Sequence, residues 1–212
     1  REPDFVDKCA NLVMPGFTAP KLERVRRHEP EIFSKIAKVL LPKDYVRLRM
    51  TGELASDMSD SAGTLWMDVE ARDWHDGLLE ACGLSREQMP SLHEGIEETG
   101  RLRSEAAEAW GMDRVPVVAG GGDNAAGAVG AGIVDEGDAL LSLGTSGVIF
   151  VAGQKFRSNP GSAAHAFCHA LPNTWHQMGV ILSATDSLRW YEKITGVEVA
   201  VAGREDVGED LR

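Results

Sequence analysis

The stretch that most constrains the fold is a short apolar strand that runs through three glycines and one acid into a small-residue helix. It occupies residues 117–132, with the sequence Val-Val-Ala-Gly-Gly-Gly-Asp-Asn-Ala-Ala-Gly-Ala-Val-Gly-Ala-Gly. A glycine turn lets the backbone approach a ligand closely, because no Cβ blocks the way. The pattern therefore predicts a strand, a turn and a helix, with Asp123 at the turn.

Asp123 has two interpretations from the residues alone. Its carboxylate can act as a general base for a substrate hydroxyl in the cleft above the strand. It can also cap the helix by accepting an amide hydrogen from the first turn. Because caps are far commoner than catalytic acids, the residues alone favour the cap.

A second apolar strand also breaks into a glycine turn, and residues 140–147 read Leu-Leu-Ser-Leu-Gly-Thr-Ser-Gly. The hydroxyls of Thr145 and Ser146, together with the backbone N–H groups from Gly144 to Gly147, can form an anion nest for nucleotide phosphates. The alternative is a plain hairpin turn. Taken alone, four residues of this kind favour the hairpin.

Composition and charge exclude several classes of protein. The formal charge is −11, from 33 acidic and 22 basic residues, which argues against a nucleic-acid partner because phosphate backbones bind to basic faces. Three widely spaced cysteines fit the reduced thiols of a cytoplasmic protein better than a disulfide framework. No run of about 18 apolar residues occurs, so no membrane span and no membrane partner are expected.

Periodicity and turn residues predict the remaining elements. Helices are expected over 20–27, 31–39, 74–82, 104–110, 124–132 and 184–194, and strands over 115–119, 139–143, 148–152 and 175–180. The serines and aspartates of 55–64 predict a polar loop. The short acidic stretch 134–138 is predicted to be the domain boundary.

Some remaining polar and aromatic residues could bind a ligand, but a structural role is favoured for each. One histidine–cysteine group matches no zinc spacing and is interpreted as structural: His165, Cys168, His169 and His176. Asp57 and Asp60 could bind Mg²⁺ in principle, although a solvated turn is the favoured interpretation. Trp190 is expected to be a core residue, with a place beside a nucleotide base as the alternative.

Seven segments, taken in order and with their spacing, resemble the FGGY family of carbohydrate kinases. They cover nearly the whole chain and lie at 13–22, 28–33, 40–45, 55–60, 120–132, 141–147 and 167–170. The forms Ser-Asp-Met-Ser-Asp and Gly-Gly-Gly-Asp-Asn are more similar to the family's D-xylulose kinases than to its glycerol kinases. The resemblance thus implies ATP-dependent phosphorylation of D-xylulose to D-xylulose 5-phosphate.

The same resemblance implies a fold and a set of site residues. The family has two ribonuclease-H-like α/β domains of the actin and hexokinase type. Residues 1–134 would be the C-terminal part of the first, sugar-side domain, and 135–212 the start of the second, nucleotide-side domain. By position in the family motif, Asp123 would be the catalytic base and a substrate ligand, and Asn124 would bind a sugar hydroxyl.

On the nucleotide side the resemblance implies a phosphate loop, a base-side residue and two cofactors. Gly144, Thr145, Ser146 and Gly147 match the family's second phosphate loop, with Thr145 closest to the phosphates. Trp190 would lie beside the adenine. The cofactors would be ATP and Mg²⁺, and the partners would be these small molecules. The oligomeric state is left open, with a homodimer among the alternatives.

The chain departs from the family pattern in two ways, and the second limits what it can do. Arg24 stands where the family signature usually has Trp. The N-terminal Asp-x-Gly-Thr loop, the Met-His sugar contact and the C-terminal Gly-Gly-Gly motif do not occur in these 212 residues. We therefore expect an internal fragment that is inactive in isolation. The alternatives are another kinase of the family, acting on ribulose or glycerol, and a non-catalytic actin-like module that binds nucleotide or sugar.

Overall fold

The computed structural model of the chain describes residues 5–197 as a mixture of helices and short strands. The helices are α1 Phe5–Cys9, α2 Thr18–His28, α3 Pro30–Phe33, α4 Pro42–Thr51, α5 Met58–Ala62, α6 Asp76–Ala81, α7 Ser104–Trp110, α8 Asp123–Gly130 and α9 Thr185–Thr195. The strands are β1 Ala55–Asp57, β2 Met67–Asp68, β3 Asp73–Trp74, β4 Ser91–His93, β5 Glu98–Arg101, β6 Pro116–Val118, β7 Ala139–Leu143, β8 Gly147–Gly153, β9 His165–Cys168 and β10 Trp175–Ile181. Single turns of 3₁₀ helix lie at Arg86–Gln88 and Pro160–Ser162.

In the part of the chain that the structure describes, the strands form one four-stranded sheet and three two-stranded ladders. The larger sheet has the order β7-β8-β10-β9, and β9 runs antiparallel to β10 with Cys168 opposite Trp175. β1 and β4 are parallel, with Ala55 opposite Ser91. β2–β3 and β5–β6 are antiparallel pairs, and β5 carries an irregularity between Glu98 and Gly100.

The chain divides into two compact units. The first comprises Arg1–Leu140 and Phe150–Gly179, and the second comprises Leu141–Ile149 and Val180–Arg212. The second unit includes the turn between β7 and β8 and the helix α9.

The hydrophobic core of the first unit is centred on the segment that contains β2, β3 and α6. Leu65, Trp66, Met67 and Leu79 are fully buried there. The indole Nε1 of Trp74 donates a hydrogen bond of 2.8 Å to the Pro90 carbonyl, which satisfies a buried donor. A smaller cluster contains Ala128, Phe150 and Ala152, and Ile133 and Leu140 pack against it.

Most of the predicted elements are confirmed. Ser104–Trp110 and Ala139–Leu143 have the predicted bounds, and the other predicted strands and the last two helices differ by one or two residues at an end. The helix predicted over 31–39 is wrong beyond Phe33, where α3 ends. The helix predicted over 74–82 begins only at Asp76, because Trp74 belongs to β3.

The polar loop predicted over 55–64 is also wrong, because this segment forms β1 and α5 and is largely buried. Its polar groups form hydrogen bonds with one another. The Asp57 carboxylate accepts from the backbone N–H groups of Ser59 and Asp60, which caps α5. The Ser61 hydroxyl donates to the Ser56 hydroxyl at 2.8 Å. Buried polar groups are tolerated when they are hydrogen-bonded, and that condition is met here.

Within residues 5–197, no helix is long and apolar enough to cross a membrane.

Core packing around α6 yields a stability prediction. Leu79→Ala removes a fully buried side chain, and we expect the free energy of unfolding to fall by about 2–5 kcal/mol. The neighbouring Glu80 is exposed on the same helix, and Glu80→Ala should change stability by less than about 0.5 kcal/mol. Denaturant titration of both full-length variants checks this. Equal destabilisation by the two substitutions would contradict the assignment of the core.

Candidate functional site

The glycine turn places Asp123 as the first residue of α8. Gly122 is the N-cap, so the interpretation of Asp123 as the N-cap is wrong. The Asp123 carboxylate instead accepts from the backbone N–H of Asn124 at 2.8 Å and from its Nδ2 at 3.1 Å. Both side chains are exposed. The bond to Asn124 orients the carboxylate without burying it.

Asp123 and Asn124 line a cavity of about 140 Å³ within the first unit. The wall formed by α5 and the turn after it contributes Ser59, Asp60 and Gly63, and the strands β9 and β10 contribute Phe167, His176 and Met178. The cavity thus combines two carboxyl groups, an amide and a hydroxyl with an apolar wall. This composition is typical of a site for a small polar ligand.

Asp60 shares this cavity with Asp123 and has an altered proton affinity. The pKa of the Asp60 carboxyl is raised to about 6, chiefly by burial; the Lys43 charge opposes this rise, and the charges of Asp57, Asp44 and Asp123 add to it. The Asp60 side chain keeps 33% of its surface exposed. The cavity therefore contains a carboxyl group that titrates close to neutral pH.

A lysine holds three aspartates together behind the cavity. Lys43 Nζ forms an ion pair with Asp57, and lies 3.3 Å from Asp44 Oδ1 and 3.7 Å from Asp60 Oδ2. Asp44 and Asp57 are almost completely buried. Pairing with a cation offsets part of the desolvation cost of burying these carboxylates.

The strand end and the turn before Asp123 are fixed from two sides. The Arg47 guanidinium donates to the carbonyl of Ala119, the last residue before the three glycines. The backbone N–H of Gly122 donates to Ser59 Oγ at 2.8 Å. Between them, a Cβ on Gly121 would lie 2.9 Å from Cβ of Ala170, so the close approach of the turn requires glycine there.

The histidines near the cavity belong to a buried aromatic cluster. His176 stacks on Phe150 with ring centroids 4.1 Å apart, and burial lowers the pKa of its imidazole to about 3. His165 Nδ1 hydrogen-bonds Asn11 Oδ1 at 2.9 Å, and His169 Nε2 hydrogen-bonds the Ile133 carbonyl at 3.2 Å. These contacts favour a structural role. Across residues 5–197, no group of three or more His, Cys, Asp or Glu side chains is arranged to hold a metal ion.

The second glycine turn lies in the second unit, where it connects the neighbouring strands β7 and β8. Its backbone is tied to the start of α9, since the N–H groups of Ala184 and Thr185 donate to the carbonyls of Thr145 and Gly144. Ser146 Oγ donates to the Leu182 carbonyl at 3.1 Å. The turn is thus a hairpin connection, and Thr145 is exposed on it.

Gly147 begins β8 at a crowded position, because an added Cβ would lie 2.8 Å from Cγ2 of Ile181. Trp190 lies on α9 with 62% of its surface exposed, so its predicted place in a core is wrong for the described residues.

Comparison with known proteins identifies the family. The sequence profile of the FGGY family of carbohydrate kinases, N-terminal domain, matches residues 1–130. The chain belongs to the FGGY family of carbohydrate kinases. It is 67% identical over 187 residues to "Xylulose kinase" of Escherichia coli strain K12, a match that covers 88% of this chain and 39% of that relative.

Solved structures agree with the family assignment. A "xyloylose kinase from Brucella ovis" superposes with a TM-score of 0.90 at 57% identity, over 92% of this chain and 41% of that one. The xylulose kinase from Rhodospirillum rubrum gives a TM-score of 0.85 at 28% identity, over 92% and 40%. The chain therefore has part of the actin- and hexokinase-like α/β fold of the FGGY kinases, and spans about two fifths of these relatives.

Sequence reasoning identified some members of the site and missed others. The structure brings Asp123 and Asn124 together on the cavity, while Gly144, Thr145, Ser146, Gly147 and Trp190 belong to the second unit. Lys43, Arg47 and Ser59 were missed, and Asp57 and Asp60 were misplaced in a solvated turn. For Asp57, Ser59 and Asp60, the available signal is the high density of Ser and Asp over 56–61. So polar a segment can form a buried strand and helix only if its polar groups bond to one another.

The pKa of Asp60 yields a prediction about pH. Because its folded-state value of about 6 lies above the ordinary 3.8, Asp60 contributes stability that is fully present below pH 4 and is lost as the pH rises through 6. Asp60→Asn removes this loss. We therefore expect the melting temperature of Asp60→Asn, relative to wild type, to rise between pH 4 and pH 7.

Thermal unfolding of the two full-length proteins in buffers of constant ionic strength checks this expectation. Asp113→Asn, at an exposed carboxyl group, controls for the loss of one negative charge. A difference between Asp60→Asn and wild type that is independent of pH would show that Asp60 is not the titrating group.

Proposed function

We propose that the full-length protein containing this chain transfers a phosphoryl group from ATP to D-xylulose, with Asp123 as the general base. The observation that carries the proposal is the placement of Asp123: an oriented, exposed carboxylate that starts a helix, faces a polar cavity and is not its cap. The names of the similar proteins supply the substrate.

The cavity offers groups suited to a small sugar. The Asn124 amide can both donate and accept hydrogen bonds, and the Asp123 and Asp60 carboxyls can accept from hydroxyls. Phe167 and Met178 provide apolar surface for the carbon skeleton. Such a combination fixes the orientation of a polyhydroxylated ligand, because each hydroxyl needs a partner once water is displaced.

Asp123 would take the proton of the sugar's terminal hydroxyl as that oxygen attacks the terminal phosphorus of ATP. The O–H bond breaks, the new P–O bond forms, and the bond from phosphorus to the bridging oxygen breaks to leave ADP. Phosphoryl transfer requires little covalent help, so alignment and charge neutralisation dominate. General-base assistance contributes typically about 10²–10⁴-fold.

Nucleotide binding is assigned to the second unit. Gly144, Thr145, Ser146 and Gly147 would hold the phosphates, with the exposed Thr145 closest, and Trp190 would cover the adenine. An exposed hydroxyl on a turn whose backbone is tied to α9 fits a phosphate group, since the turn need not reorganise on binding. Mg²⁺ would neutralise phosphate charge, and the described residues assign no protein ligand to it.

Domain organisation is proposed on the same basis. Residues 1–134 would end the sugar-side domain and 135–212 would begin the nucleotide-side domain. The family profile stops at residue 130, close to this boundary. We also propose that the protein is cytoplasmic and that it has no nucleic-acid or membrane partner. A homodimer is one form of assembly that it could adopt.

Two alternatives differ in what they predict. Another FGGY kinase would prefer ribulose or glycerol, and a panel of these acceptors with D-xylulose distinguishes them by kcat/KM. A non-catalytic module would bind nucleotide or sugar without consuming ATP. Identity of 67% to a xylulose kinase favours D-xylulose over both.

Replacement of the proposed base tests the central role. Asp123→Asn keeps the size and one hydrogen-bonding oxygen of the side chain but cannot accept the proton. We expect kcat with D-xylulose to fall by about 10²–10⁴-fold, with the melting temperature nearly unchanged. A coupled assay of ADP release on the full-length protein measures this. Substantial D-xylulose-dependent ATP consumption by Asp123→Asn would refute the role.

Removal of a phosphate-loop hydroxyl tests the nucleotide side. Thr145→Ala deletes the exposed hydroxyl and leaves the backbone contacts of the turn in place. We expect KM for ATP to rise about 10- to 100-fold, the range for loss of one hydrogen bond to a charged group, while KM for D-xylulose stays constant. Initial rates with each substrate varied in turn separate the two. An unchanged KM for ATP would remove Thr145 from the phosphate site.

A further inference from the structure

The hydroxyl of Ser59 connects the glycine turn to the ion pair between Lys43 and Asp57. It donates to Asp57 Oδ1 and accepts from the backbone N–H of Gly122 at 2.8 Å. A hydroxyl has one donor, and here the carboxylate takes it. The oxygen lone pairs are thereby directed away from Asp57, towards the turn.

Asp57 can direct this hydroxyl because it is itself fixed. It is fully buried, and its Oδ1 accepts from the backbone N–H groups of Ser59 and Asp60 at 3.0 Å each. Its other oxygen pairs with Lys43 Nζ. A hydrogen bond in which the acceptor is ionised is stronger than one between neutral groups, so the Ser59 rotamer is held firmly.

The turn needs such an anchor because of its composition. Asp123 is immediately preceded by three glycines, Gly120, Gly121 and Gly122. Glycine has more backbone conformational freedom than any other type of residue. The orientation of Gly122 sets the direction in which α8 starts, because it is the N-cap. A change in the orientation of the Gly122 peptide would therefore directly move the carboxylate of Asp123.

We propose that Ser59 is a positioning residue for Asp123: its hydroxyl, oriented by Asp57 and Lys43, fixes the glycine turn so that the carboxylate faces the cavity. This inference rests on the proposed role of Asp123 as the base. The series of contacts from Lys43 through Asp57 and Ser59 to Gly122 fixes the position of the Asp123 carboxylate. Ser59 itself exchanges no proton with the substrate.

Three variants of the full-length protein test the proposal. Ser59→Ala removes the anchor, and we expect kcat to fall about 10- to 100-fold with KM for D-xylulose within about twofold of wild type, since small misplacement of a catalytic group is costly. Ser59→Thr retains the hydroxyl and should restore most of kcat. Ser61→Ala removes a buried hydroxyl from the same helix, one that bonds to Ser56 Oγ, and should leave kcat unchanged.

A double variant shows whether Ser59 acts through Asp123. In an Asp123→Asn background, Ser59→Ala should not lower the residual rate further, because the group that it positions is no longer a base. An additive loss would assign Ser59 an independent role and overturn the proposal. A rise in KM for D-xylulose with kcat unchanged would make Ser59 a sugar ligand instead.

The remaining outcomes are also decisive. Equal losses of kcat in Ser59→Ala and Ser61→Ala would indicate general loosening of α5 and contradict a specific anchor. Melting temperatures of the three variants show whether each is folded, and failure of Ser59→Thr to recover activity while folded would also contradict it. High activity of the single variant Asp123→Asn would refute the role of Asp123 as the base. That outcome does not depend on any Ser59 variant, so it is distinguishable from failure of the Ser59 proposal.

Discussion

The buried guanidinium of Arg47 joins parts of the chain that are far apart in sequence. It pairs with Asp44 at 3.0 Å and donates to the carbonyls of Ala55 and Ala119. A charge removed from water is costly unless paired and hydrogen-bonded, so this arrangement is strongly specified once it forms. It ties the start of β1 to the end of β6, and thereby brings the segment of α5 against the glycine turn of α8.

The polar wall of the cavity follows from this juxtaposition. β1 leads directly into α5, which supplies Ser59 and Asp60, while β6 leads into the turn that supplies Asp123. The peptide backbone alone could not hold three successive glycines in one conformation. The order of the site comes from charged and hydroxyl side chains behind it, whereas Leu65, Trp66 and Leu79 give the unit its apolar core.

The local elements could be predicted from sequence because each carries its own pattern. α7 has its predicted bounds because a helical period ends at Gly111, and the β6–turn–α8 unit follows from the glycines and small residues. The segment 55–64 was not predicted correctly, because polar residues usually indicate a loop, and its burial depends on hydrogen bonds within the segment and on the non-local partners Lys43 and Gly122. The position of Asp123 at the turn was predicted from its local motif, although the residues alone favoured a cap, and the side chains that support the turn were missed because their contacts with it are non-local.

The charge balance around the cavity has a consequence for the reaction. The cavity and the groups behind it contain two cations, Lys43 and Arg47, and four aspartates, Asp44, Asp57, Asp60 and Asp123. The raised pKa of Asp60 indicates that the burial and mutual repulsion of these carboxylates are already unfavourable. A triphosphate brought to Asp123 would add further negative charge beside these carboxylates. We therefore expect a divalent cation to be needed with the nucleotide, because the nearby protein cations are already committed to the aspartates that hold the turn.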